Sequence, residues 1–156
     1  MKQTLARVIS NKEAMPGVHL LWLESPRLVG AKPGQFVVVN CGEDVLLRRP
    51  LSIHKVDGAM RRLALLFAVS GKGTNWLSQR KAGEKVDILG PSGNGFTVNP
   101  NSKNLLLVGS GLGIAPLVFL AETAAKDGHA VKLHHGVNTA GELLLGEFNT
   151  KTVECT

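Results

Sequence analysis

The sequence contains no tyrosine, and only 4% of its 156 residues are aromatic, against 18 glycines. Glycine at this frequency indicates many tight turns and close backbone approaches. Cysteine is also scarce, since Cys41 and Cys155 are the only two. Two cysteines exclude a disulfide framework, and a zinc or iron-sulfur centre normally needs about four ligands. Two inert thiols are the favoured interpretation.

Long apolar segments are missing as well. No hydrophobic run approaches the length that crosses a bilayer, and residues 1–10 lack the apolar core and small-residue cleavage site of a secretory signal. We therefore expect a cytoplasmic protein that does not bind membranes. The net charge of +6 comes from scattered basic residues without a longer run than a pair. Nucleic acid is therefore not an expected partner.

The first part of the chain has the pattern of a small β-barrel. Short alternating or apolar runs are separated by glycine and proline, with turn signals at Pro16-Gly17, Pro33-Gly34 and Asp57-Gly58. A helix over residues 74–80, capped by Thr74, interrupts the strands. The predicted strands are residues 5–11, 18–24, 35–40, 50–56, 63–69 and 85–89.

After Pro100 the pattern predicts one βαβ unit. A buried strand at 105–108 leads through a glycine turn to a helix at 115–126 and a second strand at 131–136. A short helix at 141–148 and a strand at 151–155 are expected next. A parallel sheet this small exposes an edge and a face, so we expect self-association or docking to another subunit.

Arg48 and Arg49 are the first candidate binding residues. A guanidinium fits a diphosphate because its planar fork makes two charge-assisted hydrogen bonds with phosphate oxygens. Pro50 and the alternation of Leu51, Ser52 and Ile53 favour a defined strand start over a solvated pair of arginines. Ser52 offers a hydroxyl to a polar ring edge without bulk, although a lone serine is more often an ordinary strand residue.

The segment Gly71 to Ser78, GKGTNWLS, is the second candidate. Gly71 and Gly73 allow the backbone to approach a ligand closely, and the unpaired N–H groups of the helix that follows favour an anion. A plain strand-to-helix turn is the alternative for this segment taken alone. Its spacing from the arginine pair strengthens the interpretation of a shared pyrophosphate site.

A third glycine cluster, Gly109 to Gly113, follows a buried strand and precedes a helix, as a dinucleotide-binding turn does. Its spacing is GxGxG, with Ile114 in place of the last glycine of GxGxxG and Pro116 in the first helical turn. The second strand also ends without an acidic residue for a ribose hydroxyl. These departures weaken a standard Rossmann site and leave a nucleotide phosphate at the helix start as the favoured interpretation.

Other reactive residues support no further site. His134 and His135 point to opposite faces of a strand and have no nearby cysteine or carboxylate pair, so a metal site is not expected. Neither Ser78 nor Ser110 lies in a GxSxG elbow, so a hydrolase triad is not supported.

Four segments together resemble a known family. LLRRPLSI, LLFAVSGKGTNWLS, LGPSGNGF and LLLVGSGLGIAPL, in this order and spacing, are similar to segments of the electron-transfer subunits of class B dihydroorotate dehydrogenase, within the ferredoxin-NADP reductase superfamily. The resemblance implies a β + α/β fold: a six-stranded Greek-key FAD-binding barrel at residues 1–100, then an incomplete Rossmann-like α/β domain for NAD at residues 101–156.

The same resemblance implies roles for individual residues. Arg49 would bind the pyrophosphate of FAD, Ser52 would lie near the reactive edge of the flavin, and NAD(H) would bind, if at all, above the third glycine cluster. The implied FAD contacts are Arg49, Pro50, Leu51, Ser52, Leu66, Phe67, Ala68, Gly71, Gly73 and Thr74. The implied contacts of the nicotinamide nucleotide are Gly111, Gly113, Ile114, Ala115 and Pro116.

The implied function is an FAD-binding electron-transfer oxidoreductase subunit that passes reducing equivalents between NAD(H) and a catalytic partner such as dihydroorotate dehydrogenase. The cofactor carries this chemistry, so a catalytic acid, base or nucleophile is not expected. Family members continue further and supply four cysteines for a [2Fe-2S] centre; with Cys41 and Cys155 alone, no cluster is expected here. The alternative is a non-catalytic flavin-binding or interaction module left from a truncated reductase.

Overall fold

The computed structural model describes residues 2–142 and 153–155. The helices within this part are α1 (Lys72–Ser78) and α2 (Ile114–Lys126), with 3-10 turns at Gly111–Gly113 and Ala140–Glu142. The strands are β1 (Lys2–Met15), β2 (Val18–Glu24), β3 (Phe36–Val39), β4 (Arg49–Asp57), β5 (Arg62–Ala68), β6 (Lys85–Ser92), β7 (Asn104–Ser110), β8 (Ala130–Gly136) and β9 (Val153–Cys155).

Strands β1 to β6 form a closed antiparallel barrel in the order β1-β2-β5-β4-β3-β6. This confirms the predicted six-stranded barrel. β1 is longer than residues 5–11 because its first residues pair with β6 and its last residues continue the hairpin with β2 up to Met15 opposite Val18. Most residues of those extensions are exposed and do not alternate between buried and exposed, so apolar alternation did not reveal them.

Alternate residues of the strands fill the barrel. The interior side chains are 3% exposed or less, and they form one apolar cluster with Leu77 of α1. Closure leaves no free strand edge, which is how a small barrel avoids edge-to-edge pairing. The strand residues of this cluster include Ala6, Val8, Leu21, Leu23, Val37, Val39, Ile53, Leu63, Leu65, Phe67, Val86 and Ile88.

The βαβ unit packs on the outside of the barrel. β7, β8 and β9 form a parallel sheet in that order, as predicted for the first two strands. α2 lies between this sheet and β4, and a second apolar cluster joins Leu66 of β5 to Ile114, Val118 and Leu133. The predicted domain boundary at residue 100 stays a prediction.

One face of the parallel sheet is uncovered in the described part of the chain. Leu106 and Val108 of β7 are 64% and 69% exposed there, and their neighbours in register on β8 are Lys132 and His134. His135, one residue later, is buried on the opposite face, as predicted from strand alternation. In residues 2–142 and 153–155, no helix has the length and apolarity that crossing a membrane requires.

Two predicted helices differ from the structure. α1 begins at Lys72 instead of Thr74, with Gly71 as its N-cap residue. The predicted helix at 141–148 corresponds to a 3-10 turn at Ala140–Glu142, and its remainder lies outside the described residues. Of the predicted strand at 151–155, Val153–Cys155 is a strand and the first two residues lie outside the described part.

Candidate functional site

A cleft of about 330 Å³ opens where β4 and β5 of the barrel face the start of α2. It brings together most of the candidate residues from both halves of the sequence, although they lie up to 66 positions apart. The lining residues are Arg49, Pro50, Leu51, Ser52, Leu66, Phe67, Ala68, Ser70, Thr74, Leu112 and Ala115.

The two adjacent arginines at the start of β4 have different partners. Arg48 Nη2 donates to Asp87 Oδ2 at 2.5 Å, and Gln3 donates to both oxygens of the same carboxylate at 3.0 Å. Burial alone would raise the pKa of Asp87, but the hydrogen bonds from Arg48 and Gln3 outweigh it and lower that pKa. Arg48 therefore fixes β4 to β6. Within the described part of the chain Arg49 has no hydrogen-bond or ion-pair partner, and it lines the cleft.

Arg49 lies against the start of α1. A Cβ added to Gly73 would be 3.2 Å from Arg49 Nε and 3.2 Å from Cys41 Cβ. Any side chain at this position would crowd the guanidinium, so glycine is what lets Arg49 lie beside the first turn of the helix. Because Thr74, the next residue, lines the same cleft, the two predicted phosphate-binding elements meet at one place.

The prediction that Thr74 is the N-cap residue of α1 was wrong. It is the third helical residue, and its Oγ1 accepts hydrogen bonds from the backbone N–H groups of Ser70 (2.9 Å) and Gly71 (3.1 Å) and donates to the Gly71 carbonyl at 3.2 Å. The hydroxyl has one proton, which Gly71 already receives. Thr74 therefore stabilises the turn before the helix and has only its backbone N–H to offer a ligand.

Neighbouring residues of β5 in the cleft belong to the two different apolar clusters. Phe67 is 2% exposed and packs inside the barrel, where its ring stacks on His19 with centroids 5.9 Å apart. Leu66, 3% exposed, faces outward into the α2 cluster. These residues therefore form a rigid wall of the cleft, and Leu51, Ser52 and Ala68 are the more accessible members.

The third glycine cluster and the first residues of α2 line part of the cleft. Leu112 and Ala115 line it, whereas the Ile114 side chain is 1% exposed and belongs to the second apolar cluster. Gly111 and Gly113 form the exposed 3-10 turn before α2, and Pro116 occupies its first turn. The Gly111 carbonyl accepts a hydrogen bond from His135 Nε2 at 2.9 Å, which ties the turn to β8.

Two buried polar residues of β4 were not predicted from the sequence. His54 Nδ1 donates to the Ala115 carbonyl at 2.9 Å, and Lys55 Nζ forms an ion pair with Glu122 Oε1 at 3.1 Å. His54 lies in an irregularity of the β4–β5 pairing, and regular pairing resumes at Lys55. Their partners are more than sixty positions away, so no local sequence signal could have identified them. β4 thus lines the cleft with its first half and holds α2 with its second half.

Cys41 lies beside this site as a buried thiol. Burial raises its pKa, and the positive charge of Arg49 opposes that effect. The raised pKa favours the protonated thiol at neutral pH. Across residues 2–142, no three His, Cys, Asp or Glu side chains are placed to hold a metal ion.

The chain is similar in sequence to electron transfer subunits of dihydroorotate dehydrogenase B. It is 41% identical over 147 residues to the dihydroorotate dehydrogenase B (NAD(+)) electron transfer subunit of Desulforamulus reducens, covering 92% of this chain and 56% of that one. The subunit of the same name from Listeria monocytogenes is 36% identical over 143 residues, with 90% and 56% coverage. No protein-family model matches.

Solved structures show the same fold. An NADH-dependent reduced ferredoxin-NADP oxidoreductase, from work on flavin-based electron bifurcation, superposes with a TM-score of 0.86 at 30% identity and covers 97% of this chain and 55% of its own. Ferredoxin-NADP+ reductase from Plasmodium falciparum superposes with a TM-score of 0.80 at 13% identity, which is a likeness of fold alone. The chain spans about half the length of the curated relatives that it matches.

Proposed function

Because this chain is homologous to electron transfer subunits of dihydroorotate dehydrogenase B over about half of their length, we propose that it is an FAD-binding electron-transfer oxidoreductase subunit. The observation that supports this most is the single cleft shared by Arg49, Ser52, Leu66 and Thr74. Reducing equivalents would pass between NAD(H) and a partner dehydrogenase, for which dihydroorotate dehydrogenase is the candidate that the relatives suggest.

The residues of the cleft fit a flavin dinucleotide. An unpaired guanidinium beside a glycine backbone is a site for phosphate, because it offers charge-assisted donors without a competing carboxylate. Arg49 would bind the pyrophosphate, with the turn at Gly71 and the backbone N–H groups of Gly73 and Thr74 on its other side. Bound there, the flavin supplies the hydride and electron chemistry.

The remaining cleft residues would orient the ring system. Pro50 and Leu51 would position it along β4, and Ser52 would offer its hydroxyl to the polar edge of the ring. Leu66, Phe67 and Ala68 of β5 would exclude water from the opposite side, since Leu66 and Phe67 are buried. A dry and rigid wall of this kind controls how close a second reactant comes to the cofactor.

NAD(H) would approach from the α2 side. Gly111, Gly113, Ile114, Ala115 and Pro116 form the turn and first helical residues that face the barrel, and Leu112 and Ala115 reach the cleft. The N–H groups at the start of the 13-residue α2 favour a phosphate. Under anaerobic conditions we expect NADH to reduce the bound flavin slowly or not at all in this chain alone.

A catalytic subunit or a second copy of this chain is the expected partner. The uncovered face of β7, with Leu106 and Val108, is an apolar surface of the kind that a partner covers. The second candidate function is a non-catalytic flavin-binding or interaction module. It is favoured by this uncovered face, which a partner molecule could cover.

Arg49→Ala tests the proposed flavin site, and Arg48→Ala is the matched control next to it. Loss of a charge-assisted hydrogen bond to phosphate costs about 1.5 to 3 kcal/mol, so Arg49→Ala should weaken FAD binding about 10- to 100-fold by fluorescence titration. Arg48→Ala should lower thermal stability and leave FAD affinity nearly unchanged, because Arg48 binds Asp87. Equal FAD affinity of Arg49→Ala and the unmodified chain would contradict the proposal.

A further inference from the structure

We propose that Asn11 of β1 is a positioning residue for the proposed flavin site: it holds the end of α1 and thereby keeps Gly73 in place beside Arg49. This inference rests on the proposed function and adds a residue to it. Asn11 is not among the residues that line the cleft. Its side-chain amide therefore acts on FAD binding through α1 and without touching the cofactor.

One extra residue in β1 turns Asn11 towards the barrel interior. Before this point Val8 faces the interior and is 1% exposed. Val8 and Ser10 are opposite neighbouring residues of β2, so Ile9 is the extra residue of a bulge. The inward face of β1 changes there from even to odd positions. Asn11 is then opposite Leu21, which is 0% exposed inside the barrel.

The side-chain amide of Asn11 binds the end of α1. Its Nδ2 donates to the carbonyl oxygens of Leu77 at 3.0 Å, Ser78 at 3.1 Å and Arg80 at 3.0 Å. The last carbonyls of a helix have no partner within the helix, and the last turn of α1 has no basic side chain to complement them. Asn11 supplies these hydrogen bonds from a strand that is distant in sequence.

His19 of β2 fixes the orientation of this amide. Its Nδ1 lies 3.1 Å from Asn11 Oδ1. Because Nδ2 of Asn11 faces carbonyl oxygens, Oδ1 is the acceptor of this bond and His19 Nδ1 carries the proton. The His19 ring also stacks on Phe67, which lines the cleft. Asn11 is therefore connected to a wall of the cleft on one side and to α1 on the other.

Because α1 is short, an anchor at its end also fixes its start. Its seven residues span about 10 Å, and a Cβ on Gly73 in the first turn would be 3.2 Å from Arg49 Nε. A small rotation of the helix would therefore close or widen the gap beside Arg49. Leu77 also holds α1 in the barrel core, but apolar packing is not directional, whereas hydrogen bonds fix an orientation. Binding groups need to be held within about 0.5 Å of their productive positions.

Titration of the full 156-residue chain with FAD tests the inference. Asn11→Leu is similar in size and removes the amide, so FAD should bind about fivefold more weakly or worse at a temperature where the chain is folded. Asn11→Asp keeps the shape and the acceptor for His19 but places an oxygen against the carbonyls of α1, and it should weaken FAD at least as much. Val86→Ala is the matched control, because Val86 is 0% exposed in the barrel core and does not line the cleft. It should lower the melting temperature and leave FAD affinity within about twofold.

The coupling between Asn11 and Arg49 distinguishes a positioning role from a purely structural one. In the Arg49→Ala background, the further change Asn11→Leu should alter FAD affinity by less than about twofold, because no guanidinium is left for α1 to be positioned against. Hydrogen exchange provides a measurement without FAD. The Asn75 N–H, which donates to the Gly71 carbonyl at 2.9 Å, should exchange faster in Asn11→Leu and at an unchanged rate in Val86→Ala.

Unchanged FAD affinity in Asn11→Leu, with or without faster exchange in α1, would overturn the inference and leave Arg49 as the proposed phosphate ligand. A loss that simply adds to the loss caused by Arg49→Ala would also overturn it, because the two residues would then act independently. An unmodified chain that does not bind FAD would overturn the proposed function and the inference with it.

Discussion

The barrel and the βαβ unit bury their apolar side chains to different extents. The barrel closes on itself, and its interior side chains are almost fully excluded from solvent. The βαβ unit buries one face of its sheet under α2, while Leu106 and Val108 on the other face stay exposed. The proposed FAD site therefore lies mainly on a barrel that forms its own core, whereas the proposed NAD(H) side depends on the barrel for part of its core.

This dependence is visible in the contacts of α2. Its buried residues pack against Leu66 of the barrel as well as against Leu133 of their own sheet, and Lys55 and His54 of β4 add an ion pair and a hydrogen bond. A βαβ unit without these contacts would expose the side of α2 that faces the barrel. We therefore expect the two regions to unfold together when the contacts of β4 are intact.

The largest expected effect comes from the ion pair between the regions. Lys55 and Glu122 side chains are 8% and 12% exposed, so Lys55→Met leaves a buried carboxylate without its ammonium and should destabilise the chain by about 3 to 5 kcal/mol. Chemical denaturation followed by circular dichroism measures this loss. The double variant Lys55→Met with Glu122→Leu should recover most of it; no recovery would show that the ion pair is not the cause.

A matched pair of leucine truncations compares the two regions directly. Leu65→Ala in the barrel core, where the side chain is 0% exposed, should cost about 2 to 5 kcal/mol. Leu106→Ala on the uncovered sheet face should change the free energy of unfolding by less than about 0.5 kcal/mol. A cost at Leu106 comparable to that at Leu65 would mean that this face is covered in solution, and that self-association should then be measured.

The hydrogen bond between His54 and α2 should contribute less. Replacement by Leu removes the donor to the Ala115 carbonyl and should cost about 0.5 to 1.5 kcal/mol. His54→Asn supplies an N–H group at a position similar to Nδ1 and should retain part of the bond. Hydrogen exchange at the first turn of α2 should accelerate more in the Leu variant than in the Asn variant. The same rate in both would contradict a role for the donor.

Acid should affect the barrel through Asp87 by the smallest amount. Its folded pKa lies below the ordinary value of 3.8, so the ionised carboxylate contributes stability that is present above that value. This stability is lost as the pH falls from 3.8 through the lower folded pKa. Asp87→Asn should therefore flatten the acid limb of the stability profile, measured by melting temperature between pH 5 and 2. An unchanged acid limb would mean that other carboxylates dominate it.

Local patterns predicted the elements that are regular and self-contained. β2 matches its predicted bounds because Leu21 and Leu23 alternate with residues of the outer face and Pro16-Gly17 marks its start. The beginning of α1 was wrong because Thr74 resembles a capping residue, while the actual N-cap is the glycine three positions earlier. The two ends of β1 are defined by pairing with β2 and β6, which alternation within β1 does not reveal.

Long-range partners limited what could be predicted about the candidate site. The residue pattern alone did not distinguish Arg48 from Arg49 as the arginine that meets a phosphate, and only the family resemblance indicated Arg49. Asp87, 39 residues away, engages Arg48, and Gly73 accommodates Arg49. His54 and Lys55 looked like ordinary strand residues until the fold brought Ala115 and Glu122 against them. Interactions of this type depend on tertiary structure, and a single sequence contains no sign of them.

The double use of β4 has a consequence for protein engineering. A chimera that joined this barrel to the nucleotide-binding half of another reductase at the 91–103 linker would keep His54 and Lys55 but replace Ala115 and Glu122, to which they bind. The graft would then lack the carboxylate that pairs with the buried Lys55. A working chimera would need residues on β4 that match the incoming helix. The contact between β4 and α2, and not the linker, therefore defines which residues have to be exchanged together.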